Sequence, residues 1–181
     1  MGRSFSTVFD AEFGPLHRYL HRRVGDALAE DLAVDTFTIA LRHWEQLDPA
    51  RPVKPWIYGI AGNLLRHHWR KERRMLRAYA ASPGASVSVD DDETVARVDA
   101  ALIGPHLASA LAELRREERE VLLLHAWADL TDVEIAEALS LPLGTVKSRL
   151  SRARAHIRNH LGLTGQIGLN SVASTVEERQ S

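Results

Sequence analysis

Apolar positions recur at three- and four-residue intervals almost from the first residue of the chain. Phe5, Phe9, Phe13, Leu16 and Leu20 fall on one side of a helix predicted over 4–24, and Gly25 supplies a stop. A second helix is predicted over 27–46, ending before "DPARP". A third begins near Pro55, a residue tolerated in a first helical turn, and runs through Trp56, Ile57, Ile60, Leu64 and Trp69. Later spacing predicts helices over 106–114, 116–127, 131–139 and 144–161. No alternating apolar run bounded by hairpin turns interrupts them, so strand signals are nearly absent. The fold class is all-α.

Between the third and fourth helices lies "AASPGASVSVDDDETV", rich in small and polar residues with an acidic cluster, which reads as a linker. The pattern therefore divides into a helical domain over 1–79, a flexible acidic linker over 80–105, and a second helical domain over 106–161. A tail over 162–181, rich in Gly, Ser and Thr, is expected to be poorly ordered.

The second domain has the form of a helix-turn-helix. Thr131 with Glu134 three residues on makes a capping box that fixes a helix start. Pro142 in "SLPLG" ends that helix by disfavouring helical geometry at the residue before it. Thr145 caps the next helix, with Ser140 and Gly144 as other candidates. There, Val146, Leu150, Ala153 and Ile157 lie within about 40° of one another and form a narrow seam to be buried. Ser148, Ser151, Arg152 and Ala155 occupy the opposite side. Lys147, Arg154 and Arg158 stand on one flank and Arg149 on the other. Small residues at the centre of an exposed face allow close backbone approach, and the surrounding cations offer donors. Insertion into a DNA major groove requires that combination.

Charge sharpens the picture. The net charge is only −1, yet no Asp or Glu occurs between Glu137 and Glu177, an interval holding Lys147, Arg149, Arg152, Arg154 and Arg158. An acid-free interval on one helix predicts a counter-charge from outside the chain, and phosphate fits. Opposite signs occur elsewhere. Residues 24–41 contain Asp26, Glu30, Asp31 and Asp35 and no base, while "RHHWRKERRMLR" over 66–77 holds six Arg or Lys against one Glu. Such blocks predict two different partner surfaces. In the basic block, Trp69 and the His67–His68 pair interleave with cations, which suits backbone tracking and base stacking on single-stranded nucleic acid.

At this point two long segments resemble a known family. "AEDLAVDTFTIALRHW" followed by "PWIYGIAGNLLRHHWRKERR" resembles sigma domain 2 of extracytoplasmic-function (ECF) sigma factors. "LAELRREEREVLLLHAWADLTDVEIAEALSLPLGTVKSRLSRARAHIRNHL" resembles their sigma domain 4. The resemblance spans about residues 4–161, and it implies an all-helical, non-enzymatic protein that directs bacterial RNA polymerase to promoters. It further implies that Asp31, Asp35, Phe37 and Leu41 contact core polymerase. Asn63, Arg66, His67 and Arg70 would read the −10 element, with Trp56 structural, and Lys147, Ser148, Arg149, Ser151 and Arg152 the −35 element. The partners are then core RNA polymerase and promoter DNA, with room for an anti-sigma protein. The chain departs from the family at Val34, where relatives often carry Gln, and at Gly59 and Gly62, where Arg is common. Two helical glycines forgo about 2 kcal/mol of helix propensity relative to Ala, which predicts a looser helix.

Other classes fit parts of the pattern. A helix-turn-helix regulator with a sensing or dimerising N-terminal domain needs no polymerase-binding helix, and a protein adaptor leaves the cationic faces without a purpose. The sequence holds no cysteine, which excludes disulfide scaffolds and Cys-based zinc sites. It has no signal peptide and no run of about 20 apolar residues, so no membrane insertion and a cytoplasmic location are expected. There is no Gly-rich phosphate loop or nucleophile motif, so neither enzymatic activity nor a cofactor is expected. His17/His21 and His156/His160 have the i, i+4 spacing of paired metal ligands, but no third ligand accompanies them in sequence, and no metal site is expected.

Overall fold

The computed structural model describes residues 4–80 and 105–162; most of the predicted linker and nearly all of the predicted tail lie outside them. Seven α-helices and no strand occur among the described residues. The first is α1 (Phe5–Val24), which stops at Gly25 because the chain there adopts φ 77°, open to glycine without a Cβ penalty. Then α2 (Asp26–Arg42) ends four residues earlier than its periodicity predicts. The chain tightens into a 3-10 turn at Trp44–Gln46, where Gln46 N–H bonds to His43 O and Leu47 N–H to Trp44 O. That turn places the Trp44 ring against Phe5 at 5.3 Å and Trp56 at 6.4 Å. The long α3 (Val53–Ala80) completes the N-terminal unit.

The core of this unit is aromatic. All four phenylalanines of the chain converge, with Phe37 of α2 lying 5.0 Å from Phe9, 5.7 Å from Phe13 and 6.3 Å from Phe5. Beneath them Leu16, Tyr19 and Leu20 of α1 meet Leu32, Ala33, Ile57, Tyr58 and Leu65, all buried.

In the C-terminal unit, α4 (Pro105–Ala112) is followed by α5 (Arg116–Trp127), α6 (Asp132–Leu139) and α7 (Leu143–His160). Buried Arg119 of α5 reaches back to donate to the carbonyls of Leu111 and Ala112, satisfying the last turn of α4. Both halves of the expected capping box form: Glu134 N–H donates to Thr131 Oγ1, and Glu134 Oε2 accepts from Thr131 N–H. The turn to α7 passes through Ser140 at φ 53°, and α7 begins at Leu143 behind Pro142 with no side-chain cap. Thr145 is thus already inside the helix. The whole expected seam of Val146, Leu150, Ala153 and Ile157 is buried.

The two units pack together and share one hydrophobic core, which the sequence pattern does not announce. Helix α3 lies against α6, and the contact explains Gly59. A Cβ at this position would sit 2.9 Å from the Ala138 carbonyl oxygen, so only glycine lets the two backbones approach so closely. Around the crossing, Arg51 pairs with Glu137 at 3.0 Å and Lys54 donates to Asp129 O. Deeper in, Arg23 of α1 bonds Glu120 of α5 at 2.9 Å and Tyr19 Oη at 2.6 Å. Its guanidinium also lies over the rings of Tyr19 and Trp69. Burial opposes the charged form of Glu120. Arg23, through its charge and hydrogen bond, and Arg66 and Arg116 outweigh it and hold the carboxyl below its ordinary range.

Two expected outcomes follow from this packing. Gly59→Ala exchanges a gain of about 1 kcal/mol in helix propensity for an overpacking cost of about 1–3 kcal/mol, so its thermal midpoint should fall. Gly62→Ala should melt higher than wild type, since its methyl meets only side-chain tips at 3.4 and 3.7 Å. Paired melting curves check the order, and the reverse order would refute the close-approach explanation. The second outcome concerns acid. Because the folded pKa of Glu120 is depressed, its stabilisation is complete above the ordinary glutamate pKa of about 4.3 and is lost as pH falls through the lower folded value. Melting curves across that acid range should therefore fall more steeply with pH for wild type than for Glu120→Gln; equal slopes would count against the pair.

Candidate polymerase and nucleic-acid surfaces

The acid-only segment becomes one continuous stripe on α2. Ala29, Leu32, Ala33, Thr36, Phe37 and Ala40 are buried, which turns Asp31, Val34, Asp35, Thr38 and Leu41 outward. Val34 is 50% and Leu41 57% exposed, so two apolar side chains flank the two carboxylates in solvent. Phe37, expected among the polymerase contacts, is instead 3% exposed at the centre of the phenylalanine cluster. Its ring supports the stripe from beneath. Val34 takes its place on the surface, a position that the sequence marks only as a departure.

On α3, the expected −10 residues follow the outward side of the helix. Asn63, His67 and Arg70 are exposed and Arg66 is half-buried, while Trp69 between them is buried under Arg23. Trp69 is therefore a core residue and offers no stacking platform. Asn63 Oδ1 accepts a hydrogen bond from Arg66 Nη2, and Arg70 Nε donates to Arg66 O. These contacts lay the arginines along the helix.

The recognition helix α7 divides its cations between two tasks. Lys147 and Arg158 are exposed and make no ion pair among the described residues. Ser148 and Ser151 between the flanks are exposed as expected. Arg154, however, turns inward and donates to His125 Nε2 at 2.7 Å. His125 Nδ1 in turn faces Leu130 O at 3.2 Å, an arrangement satisfied by a neutral imidazole protonated at Nδ1. Arg152 meets Glu118 of α5 at 2.7 Å. The expectation of a wholly external counter-charge is thus corrected for Arg152: its acid lies in another helix, 34 residues away in sequence. Arg149 is half-buried and faces the neighbouring unit. It shares a cleft of about 320 Å³ with Arg66 and Arg70 of α3 and with Arg116, Glu117 and Glu120 of α5. Residues expected to read two separate promoter elements therefore line one cleft in this closed arrangement.

The histidine pairs also differ from expectation. His21 Nδ1 pairs with Asp26 at 2.7 Å. Beside His156 and His160, Glu113 at the end of α4 supplies the third group missing from the local sequence, and the three ligand atoms lie within 4.8 Å of one another. No helix among the described residues is long and apolar enough to cross a membrane.

Comparison with known proteins matches both units. Residues 8–75 match the Sigma-70 region 2 family and residues 107–157 match Sigma-70, region 4. The chain is 34% identical over 163 residues to the ECF RNA polymerase sigma factor SigL of Mycobacterium tuberculosis, covering 87% of this chain and 90% of SigL. Among solved structures it is similar to the sigma factor RpoE in complex with the anti-sigma factor NepR from Bartonella quintana. That likeness has a TM-score of 0.69 and 22% identity, over 89% of this chain and 98% of the other. It is also similar to CnrH in complex with the cytosolic domain of CnrY, with a TM-score of 0.62 and 23% identity over 89% of each chain. These two likenesses speak to the fold alone. With both helical units matched in order, and SigL aligned along nearly its whole length, the chain belongs to the ECF family of RNA polymerase sigma factors.

Proposed function

We propose that this sigma factor docks on core RNA polymerase through the outward stripe of α2 and reads promoter DNA with α3 and α7. The reading rests on one observation: a single chain presents, on one unit, a stripe with Asp31 and Asp35 inside a base-free segment over 24–41 and, on the other, a helix-turn-helix whose recognition helix carries no acid. A DNA-binding regulator needs the second surface and not the first. The stripe joins carboxylates for polymerase cations to exposed Val34 and Leu41, whose apolar surface a partner would favourably remove from water. Asn63, Arg66, His67 and Arg70 serve the −10 element. Lys147, Ser148, Arg149, Ser151 and Arg152 serve the −35 element. The domain limits of 1–79 and 106–161 follow this division of labour.

Arg66, Arg70 and Arg149 share a cleft in the closed arrangement, so engagement of both elements requires the two units to part. An anti-sigma protein is a natural further partner, since RpoE was solved with one. Such a protein would act by holding the closed form. The work is that of a non-enzymatic initiation factor in the cytoplasm. Purified protein added to core polymerase should give promoter-dependent transcription; DNA binding without transcription would favour the plain regulator.

Replacing Asp31 and Asp35 together by Lys should abolish polymerase binding in a pull-down with helical content unchanged; retained binding would remove α2 as the docking surface. On the recognition helix, Arg152→Ala should cost on the order of 1–3 kcal/mol at the preferred −35 sequence and flatten discrimination there. Arg158→Ala should weaken binding about equally on all sequences and lower the salt slope by roughly one unit. Salt titrations of each holoenzyme on matched and scrambled −35 DNA check both, and an exchange of the two phenotypes would rotate the assigned face.

A further inference from the structure

The C-terminal unit carries a group of side chains that neither polymerase docking nor promoter reading uses. His156 and His160 lie one turn apart on α7, their rings 6.3 Å apart and inclined by only 29°. Glu113, just beyond the end of α4, stands between them. Its Oε2 lies 3.3 Å from His156 Nε2 and 3.1 Å from His160 Nδ1. Zinc held by nitrogen and oxygen ligands at about 2.0–2.1 Å in a tetrahedron separates neighbouring ligand atoms by about 3.3–3.4 Å. The two separations lie near that edge, the shorter of them also a hydrogen bond, and the three ligand atoms all fall within 4.8 Å of one another.

His156 adds an independent observation. Its Nε2 is shielded from solvent and has no hydrogen-bond partner, although the carboxylate oxygen is so near. Lone pair and N–H lie along the same in-plane direction of the ring, and that direction misses the carboxylate oxygen, so neither form of the imidazole makes a hydrogen bond there. A cation set between the two atoms would give both a partner. Two imidazoles and one carboxylate are also the ligand types that borderline divalent ions such as Zn²⁺ prefer. The group is not sealed: Glu113 is half-exposed and both histidines retain some accessibility, leaving room for water at a fourth position.

We propose that Glu113, His156 and His160 form a binding site for one divalent cation of the zinc type, which fastens the end of α4 to the C-terminal end of the recognition helix. The position gives the site a structural consequence. Helix α4 is the first described element after the predicted linker, and α7 bears the proposed −35 face. A cation bridging them would tie the recognition helix to α4. Bound metal should therefore stabilise the C-terminal unit without contributing directly to base contacts.

The test is isothermal titration of the full chain, cleared of metal with chelator, using Zn²⁺ as the probe. One site per chain is expected, with a rise in the thermal midpoint on loading. Glu113→Gln and His160→Gln should each weaken binding at least about tenfold. The double variant His17→Gln/His21→Gln removes the other stacked pair and should leave the titration unchanged. Circular dichroism verifies that the variants fold. Should they not fold, Co²⁺ added to wild-type protein should give the visible absorption of a low-coordinate nitrogen–oxygen site, displaced by one equivalent of Zn²⁺. The proposal is overturned if wild-type protein shows neither a saturable site nor the cobalt band, or if the folded variants bind as tightly as wild type.

Discussion

The pair between Arg23 and Glu120 joins the two halves of this molecule. Arg23 comes from the first helix and Glu120 from the fifth, 97 residues apart, and both are largely removed from water. Taking two charges out of solvent is costly, and their attraction offsets the cost only when geometry and additional hydrogen bonds are good. Here Tyr19 Oη accepts a further bond from Arg23, and the guanidinium rests over the Tyr19 and Trp69 rings. Such a pair is a better device for choosing one docking geometry than for adding stability. If the units slide, a buried charge loses its partner. The close approach at Gly59 then fixes how α3 and α6 cross, and the outer contacts of Arg51 and Lys54 follow from that crossing.

This docking decides what the cations are available to do. Arg23 and Arg119 are spent inside, one between units and one on the carbonyls closing α4. Arg154 is anchored on His125, and Arg152 rests on Glu118 while keeping 59% of its side chain exposed. A surface pair of this kind contributes on the order of 1 kcal/mol or less, so DNA phosphate or a base edge can compete for Arg152 without a large penalty. Glu118 thus holds Arg152, a proposed −35 contact, in place. Meanwhile Arg149 and the arginines of α3 face a shared cleft that already contains Glu117 and Glu120. The cleft thus sets acids of α5 beside the arginines proposed to contact promoter DNA.

Local rules account for the parts of the molecule legible in the chain. The Thr131–Glu134 capping box, the Gly25 stop and the buried seam of α7 depend on residues within one or two helical turns, where spacing determines geometry. The outward position of Asp31 and Asp35 follows likewise, since burying the Ala- and Leu-rich side of α2 leaves them no other direction. The sequence misassigned what depended on a second element. Phe37 counts as a polymerase contact by resemblance, and only the three phenylalanines of α1 turn it inward. Trp69 reads as a stacking residue until Arg23 covers it.

By itself, then, the sequence determined an all-helical chain in two units, the boundaries of most helices to within a few residues, and the family to which the chain belongs. Hydrogen bonds and side-chain periodicity within a helix act between near neighbours, so they are written in the order of residues. Tertiary structure alone decided which charges are satisfied internally and why Gly59 is glycine. It also decided that Glu113 completes the His156–His160 pair. Each of these rests on atoms brought together from distant helices: Glu118 is 34 residues from Arg152, Glu113 47 from His160 and Glu120 97 from Arg23. A Coulomb or coordination contact depends on distance in space, and the chain order carries no measure of that distance until the helices have packed.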